Sequence, residues 1–369
     1  MPEGPVSPSD RVPEAEGWSA QVLLEGLEQP WAMAWLPDST MLITERSGRL
    51  LHFHQKEQRK VTIDGIPDVY ADGQGGLLDL VLHPDFDSNR LIYVTFAEGN
   101  KDRNQTAVAR AELHGNELVN MEVIFRAEPA KSGNQHFGSR MAWLEDGTLL
   151  VSVGDGGNRP SSIDGTLSRD YAQKLTAHLG KIIRIRDDGS VPEDNPFLGI
   201  NNALPEIWTI GHRNIQGLTA DKRSGNVWAN EHGSRGGDEL NLATSGSNYG
   251  WPLVTYSREY FGPRISRHTS KPGMVDPLIV WTPAQAPSGL TIYTGEIFKE
   301  WNGNLFSGGL RGEQIRRIIL DGQTVIGEEA LTIGYRVRDV RTGPDGYLYL
   351  LTAEDDGKLI KIIPDVEYK

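Results

Sequence analysis

Arginine is the side chain through which this sequence most plainly offers chemistry. Arg213, Arg311, Arg336 and Arg338 stand in the phrases Gly211-His212-Arg213-Asn214-Ile215-Gln216-Gly217-Leu218, Leu310-Arg311-Gly312 and Tyr335-Arg336-Val337-Arg338-Asp339, in a chain that is otherwise acidic. A guanidinium stays charged and prefers bidentate pairing with carboxylate or phosphate. Gathered around one cavity, such groups repel one another unless a polyanion lies between them, so the ligand they imply carries several acid groups. Taken one at a time, each arginine reads equally as a surface side chain or a structural ion pair. Companion phrases add neutral donors and acceptors: Gly73-Gln74-Gly75-Gly76-Leu77, Asn134-Gln135-His136-Phe137-Gly138-Ser139-Arg140 and Gly154-Asp155-Gly156-Gly157-Asn158.

The second resource is a base. Imidazole has an unperturbed pKa suited to proton abstraction near neutral pH, which makes His136 a candidate and Asp155 the group to hold its tautomer. His212 competes, but its place beside Gly211 suits a packed role. The third is a loop, Asn230-Glu231-His232-Gly233-Ser234-Arg235-Gly236-Gly237-Asp238-Glu239-Leu240-Asn241, continuing to Ser247-Asn248-Tyr249-Gly250-Trp251-Pro252. Hard cations such as Ca²⁺ take the carboxylate and carbonyl oxygens it offers, though tight turns alone would also explain its glycines. Asp85-Phe86-Asp87-Ser88-Asn89 begins like an EF-hand loop but has Arg90 and Phe96 where Gly and Glu are needed, and reads as a plain turn.

Residues so far apart need a scaffold that brings loops together. The chain reads as short apolar runs closed by turn residues, such as Met41-Leu42-Ile43-Thr44 after Pro37-Asp38-Ser39, which is strand chemistry. Only Leu167 to Leu179 suggests a helix. A strand-turn-strand phrase recurs near Trp31, Leu78, Met141, Gln216, Ser288 and Arg338. Six such phrases match the blade period of a β-propeller, in which loops from distant segments meet at one mouth. The expected fold is therefore all-β: a six-bladed β-propeller over residues 18–369, with residues 1–17 as a flexible N-terminal stub. Two β-sandwiches end to end are the alternative, but they do not require the phrase to recur.

Composition narrows the partners. Lys+Arg 37 against Asp+Glu 50 leaves a net charge of −13, which disfavours nucleic acid as a ligand. Cys is 0, so disulfides, thiolate nucleophiles and Cys-ligated metals are excluded. No apolar run is long enough for a membrane span. The first residues lack the basic and apolar regions of an intact secretion signal, and their Pro/Gly/Ser character resembles the stub left by a cleavage site.

At the phrases from Gly211 to Gly217 and from Asn230 to Gly233, the sequence resembles the soluble PQQ-dependent aldose sugar dehydrogenases, within the glucose/sorbosone dehydrogenase family, over about Gln29 to Ile363. The resemblance implies a six-bladed propeller with pyrroloquinoline quinone (PQQ) at its mouth, a cofactor whose carboxylates answer the demand for a polyanion. It makes His136 the base that takes the proton of the sugar's anomeric hydroxyl and Asp155 its orienter. Gln74, Arg213, Asn214, Arg311, Arg336 and Arg338 would hold the cofactor, with Tyr260 as a wall. Calcium would bind at Gly233 and Ser234 through backbone carbonyls, and Glu239 and Tyr249 match positions that hold a further, structural calcium. Ser234 stands where relatives often have Pro, and Arg311 where the glucose-specific branch has Lys. Loops between blades look short, which suggests an open sugar site. The resemblance further implies aldose substrates, an electron acceptor of unstated identity, a monomer or homodimer, and a periplasmic or secreted protein. A calcium-dependent lactonase-type hydrolase and a catalytically silent binding propeller are the competing functions on the same architecture.

Overall fold

In the computed structural model, residues 12–365 are described together with the backbone of residues 6–8. Six sheets stand around an axis, each with four antiparallel strands, and the fourth gains Val6–Pro8 as a fifth strand, in parallel. Their innermost strands are Pro30–Trp35, Leu77–Leu82, Met141–Trp143, Ile215–Ala220, Pro287–Ile292 and Val337–Thr342. These are the segments of the recurring phrase, and the first strands of neighbouring blades pack against one another around the channel. The sixth blade takes its outermost strand, Trp18–Leu27, from the start of the chain, where it pairs with Gly357–Pro364 and closes the ring. Closure of this kind leaves few unpaired strand edges.

The period of two along each strand explains how the blades hold together. Successive side chains point to opposite faces, and in a propeller both faces meet a neighbouring blade. Met41–Glu45 is buried throughout. Met41 and Ile43 pack toward the sixth blade, among Tyr349, Leu351 and Leu359, whereas Leu42 packs toward the second, among Leu78, Leu80 and Phe96. Each of the six blade interfaces has its own apolar cluster of this kind. The strands therefore read as continuous apolar runs, as expected of a sheet covered on both sides.

Polar residues plug the channel. Arg140, 2% exposed, pairs with Asp79 at 3.2 Å and Asp339 at 2.9 Å, and Arg341 pairs with the same two acids at 2.6 and 2.9 Å. Asp79 also accepts from the Met141 amide and Asp339 from the Met33 amide, so the quartet ties four blades together. With two acids and two cations, it buries no net charge.

Several expectations change here. The segment from Leu167 contains only a 3₁₀ turn, Ser168–Gln173, preceded by a two-stranded ribbon. The turn beginning at Asp85 winds into one short helix, Phe86–Asn89, with Arg90 in the left-handed region. Of the N-terminal stub, residues 1–5 and 9–11 lie outside the described residues, as do 366–369 at the other end. Val6–Pro8 runs parallel to Ile279–Thr282, and Ala15 is buried, with its amide donating to Ala330 at 2.7 Å. Connections between blades are brief at 211–214, 283–286 and 333–336 and longer at 64–76 and 127–140. The fourth blade carries a long excursion, 244–278, which brings Trp251 against Asp155 and Arg213.

Candidate active site

The starts of the innermost strands surround a cavity of about 280 Å³ at one end of the channel, with Trp31, Gln74, Gly138, Gln216, His232 and Arg338 among its walls. The ends of the same strands surround a wider opening at the other end, lined by Trp35, Leu82, Trp143 and Arg341. The Asp79/Arg140/Asp339/Arg341 quartet lies between them.

His136 sits on the loop that enters the third blade. Its backbone is left-handed, φ 51°, as are those of Gly138 and Ser139, which for a non-glycine residue costs about 1–3 kcal/mol. Hydrogen bonds hold the turn: the His136 amide donates to Gln74 Oε1 at 2.8 Å, the Gly138 amide to Asn214 Oδ1 at 3.1 Å, and the Ser139 amide to the Ser152 carbonyl at 2.7 Å. A Cβ on Gly154 would lie 2.1 Å from the His136 carbonyl oxygen, so glycine there lets the Asp155 loop come close enough to reach the ring. The imidazole is 4% exposed, and its Nδ1 lies 2.6 Å from Asp155 Oδ1. Burial, together with the Arg213 charge, pushes the His136 pKa below its usual value despite Asp155. Burial works against the Asp155 carboxylate, but His136 and Arg213 outweigh it and hold the group below its usual range. The outcome is a neutral imidazole that donates from Nδ1 to a carboxylate and leaves Nε2 with a lone pair and no partner among the described residues.

The arginines divide into three kinds. Arg338 and Arg336 line the cavity. Arg338 donates to Gln216 Oε1 at 3.1 Å, and its pKa falls to about 9 because it is partly withdrawn from water and faces Arg140, Arg46 and Arg336. Arg213 is buried behind the cavity wall, donating to the carbonyls of His232 at 3.0 Å and Gly233 at 2.6 Å, with Trp251 under its guanidinium at 5.4 Å. Arg311 is exposed, one residue beyond Leu310, which lines the cavity. Asn214 fastens the His136 loop through Gly138 and is 1% exposed. Tyr260, 55% exposed on the 244–278 excursion, is not among the cavity walls. His212 is fully packed, with Nδ1 on Glu231 and Nε2 on Thr209, both at 2.9 Å.

Beside Arg213, a void of about 10 Å³ is bounded by Glu231, Gly233, Glu239, Tyr249 and Trp251. Burial, then the charges of Glu231, Asp238 and Asp276, pushes the Glu239 pKa well above its usual value. Asn241 Oδ1 and Ser234 Oγ are buried without a hydrogen-bond partner. Crowded acids and orphaned oxygens suit a hard cation. Gly233 keeps a second lone pair on the carbonyl that Arg213 uses. Tyr249 is the exception: its hydroxyl donates to the Leu242 carbonyl at 2.6 Å and accepts from the Thr244 amide at 2.9 Å, so what it turns to the void is its ring. Among the described residues, no three His, Cys, Asp or Glu side chains converge as a ready metal cage.

Sequence reasoning gave no site role to Arg46, Trp31 and Gln216, which line the cavity, or to Lys131 and Trp251 beside His136 and Asp155, although Trp31, Gln216 and Trp251 stand in phrases it singled out. His232 lay within a quoted phrase without a role. Its Nε2 donates to the Pro287 carbonyl at 2.7 Å, and burial lowers its pKa to about 3, so it stays neutral. Lys131, lying 3.9 Å over the Phe137 ring, has its pKa lowered to about 7 by burial. An arginine at a strand end, or a lysine near a loop, gives no sign in sequence that the fold will turn it inward.

The model of the Glucose / Sorbosone dehydrogenase family matches residues 27–361. The aldose sugar dehydrogenase of Escherichia coli is 39% identical over 94% of this chain and 93% of its own length. Among solved structures, a glucose dehydrogenase superposes with a TM-score of 0.89 at 42% identity, covering 94% of this chain and 99% of that one. The PQQ-bound form of the aldose sugar dehydrogenase from Streptomyces coelicolor superposes with a TM-score of 0.76 at 27% identity, covering 96% of this chain and 100% of that one.

Proposed function

The chain belongs to the glucose/sorbosone dehydrogenase family, and from that premise we propose that it oxidises aldose sugars at the anomeric carbon to the lactone, with PQQ and calcium as cofactors. The observation that carries the reading is the buried His136, held through Nδ1 by Asp155, beside a cavity whose arginines form no ion pair among the described residues. A tricarboxylate fits that surplus of charge, and a hard cation fits the crowded acids of the Glu231/Glu239 void, with Asn241 bonded to both glutamates and Ser234 next to Gly233 in the chain.

When bound, PQQ supplies an ortho-quinone that accepts a hydride, and calcium supplies Lewis acidity toward it. The residues of the chain do the rest. His136 takes the proton of the anomeric hydroxyl at Nε2 as the hydride leaves the same carbon, and the oxidised carbon becomes the lactone carbonyl. Asp155 fixes the ring and stabilises the imidazolium that forms. Gln74 orients the base through its amide. Arg336 and Arg338 bind carboxylates. Arg213, Arg311 and Asn214 belong to the same reading, Arg213 and Asn214 by bracing the loops and Arg311 from the exposed rim. Gly233, Ser234 and Glu239 would hold calcium, and Tyr249 would wall its site. The resemblance alone supports a periplasmic or secreted place of action. No described helix is long and apolar enough to cross a membrane.

The test is reconstitution of the apoprotein with PQQ and Ca²⁺, followed by dye reduction with glucose and other aldoses. Dye reduction that requires both additions is expected. Folded protein that reduces no dye with any aldose overturns the assignment.

A further inference from the structure

An additional cation reaches the cavity from the first blade. Arg46 follows the buried strand Met41–Glu45 and lines the same cavity as Arg336 and Arg338, which belong to the sixth blade and its entrance. Its Nε donates to the Gly75 carbonyl at 3.2 Å and its Nη2 to the Gly73 carbonyl, while Nη1 has no partner among the described residues. Two acids lie near enough to favour its charge, Asp355 and Asp72. Neither forms an ion pair with it. Asp72 accepts from Tyr70 at 2.9 Å and Asn134 at 3.0 Å, and Asp355 accepts from Gln29. Arg46 is thus oriented by two backbone carbonyls, partly buried, and left with an unused donor. Arg338 registers it as a repelling neighbour, alongside Arg336 and Arg140. Three blade-borne cations around one cavity, with no carboxylate among them, leave a place for one.

We propose that Arg46 is a direct ligand to a carboxylate of the cofactor and completes, with Arg336 and Arg338, a three-sided carboxylate subsite. The inference rests on the PQQ reading above and extends it to a residue outside the arginine-rich phrases. A purely structural role is the rival: Arg46 bridges Gly73 and Gly75, and so braces the loop that carries Gln74.

Binding separates the two without recourse to turnover. Apoprotein in excess Ca²⁺ is titrated with PQQ, and the Kd is read from quenching of tryptophan fluorescence, Trp31 being a wall of the cavity. Arg46→Gln removes the charge, whereas Arg46→Lys keeps it and loses the fork that bridges the two carbonyls. The expected result is a Kd raised about tenfold or more by Arg46→Gln, the scale of one charge-assisted hydrogen bond, and within about threefold of the parent in Arg46→Lys. Apo melting temperatures show whether each variant is folded. A Kd for both variants within twofold of the parent overturns the proposal. Equal weakening in both would assign Arg46 to loop bracing and also overturn it. A parent protein that binds no PQQ would overturn the cofactor reading itself, and this inference with it.

Discussion

Trp251 and Asp155, 96 positions apart in the chain, meet through a hydrogen bond from the indole Nε1 to Asp155 Oδ2 at 2.9 Å. The other carboxylate oxygen faces His136 at 2.6 Å and also accepts from the Gly157 amide at 3.1 Å. Asp155 is thus held on both sides, and the ring of His136 inherits that rigidity. Trp251 also lies under Arg213, so one indole braces both the acid that holds His136 and a cation that, after burial, lowers the His136 pKa.

Replacing His136 by Ala should leave PQQ binding intact and lower dye-linked turnover by about 10²-fold or more, the scale of losing a positioned base. Fluorescence titration and steady-state kinetics on the same preparation check both halves. Retained turnover would mean that the base lies elsewhere.

Activity should follow the protonation of His136. The base is competent when neutral, so kcat/KM should be lost as pH falls through its pKa, at a midpoint below the usual 6.5. In Asp155→Asn the charge that raises this pKa disappears, and the acidic limb should move to still lower pH while the plateau falls. A limb that moves to higher pH contradicts the assigned pair.

Trp251→Phe should keep the ring beneath Arg213 but free Asp155 Oδ2. We expect a lower kcat with little change in the Kd for PQQ, since the indole touches the orienting acid and not the cavity. A loss confined to PQQ affinity would show that Trp251 belongs to the binding wall instead.

Calcium should stabilise the folded protein by mass action, so the melting temperature should climb with added Ca²⁺ and drop after chelation. Glu239→Gln removes one of the two carboxylates at the void and should flatten that response. A response unchanged in the variant would move the cation elsewhere.

The quartet in the channel, below the cavity, gives a test of stability. Arg140→Met leaves Asp79 and Asp339 with Arg341 alone and should cost about 3–5 kcal/mol in denaturant unfolding, the range for breaking a buried pair. Adding Asp79→Asn should recover part of the loss, because fewer unpaired carboxylates remain. A cost near zero would show that the quartet carries no structural weight.

Much of the architecture was legible because it is written locally. The runs at Pro30–Trp35, Leu77–Leu82 and Val337–Thr342 announce strands through apolar side chains closed by turns, and their recurrence announces blades. The region from Leu167 misled because its apolar spacing belongs to a 3₁₀ turn anchored by Lys181, which donates to three carbonyls, a long-range circumstance with no local mark. Tyr260 shows the same limit from the other side: an aromatic beside the mouth in sequence order, it is turned outward on the 244–278 excursion.

By itself, then, the sequence determined the class of fold, a histidine with a carboxylate able to hold it, and a surplus of guanidinium in an acidic chain. Those features depend on residue type and on spacing within a few positions. The tertiary structure alone decided that Arg46 lines the cavity while Arg213 braces its wall, that Tyr249 spends its hydroxyl on the backbone, and that Trp251 reaches across to Asp155. Each of these turns on which loops closure of the ring brings within a few ångströms, and on which donors the backbone has already taken, neither of which is encoded near the residue itself.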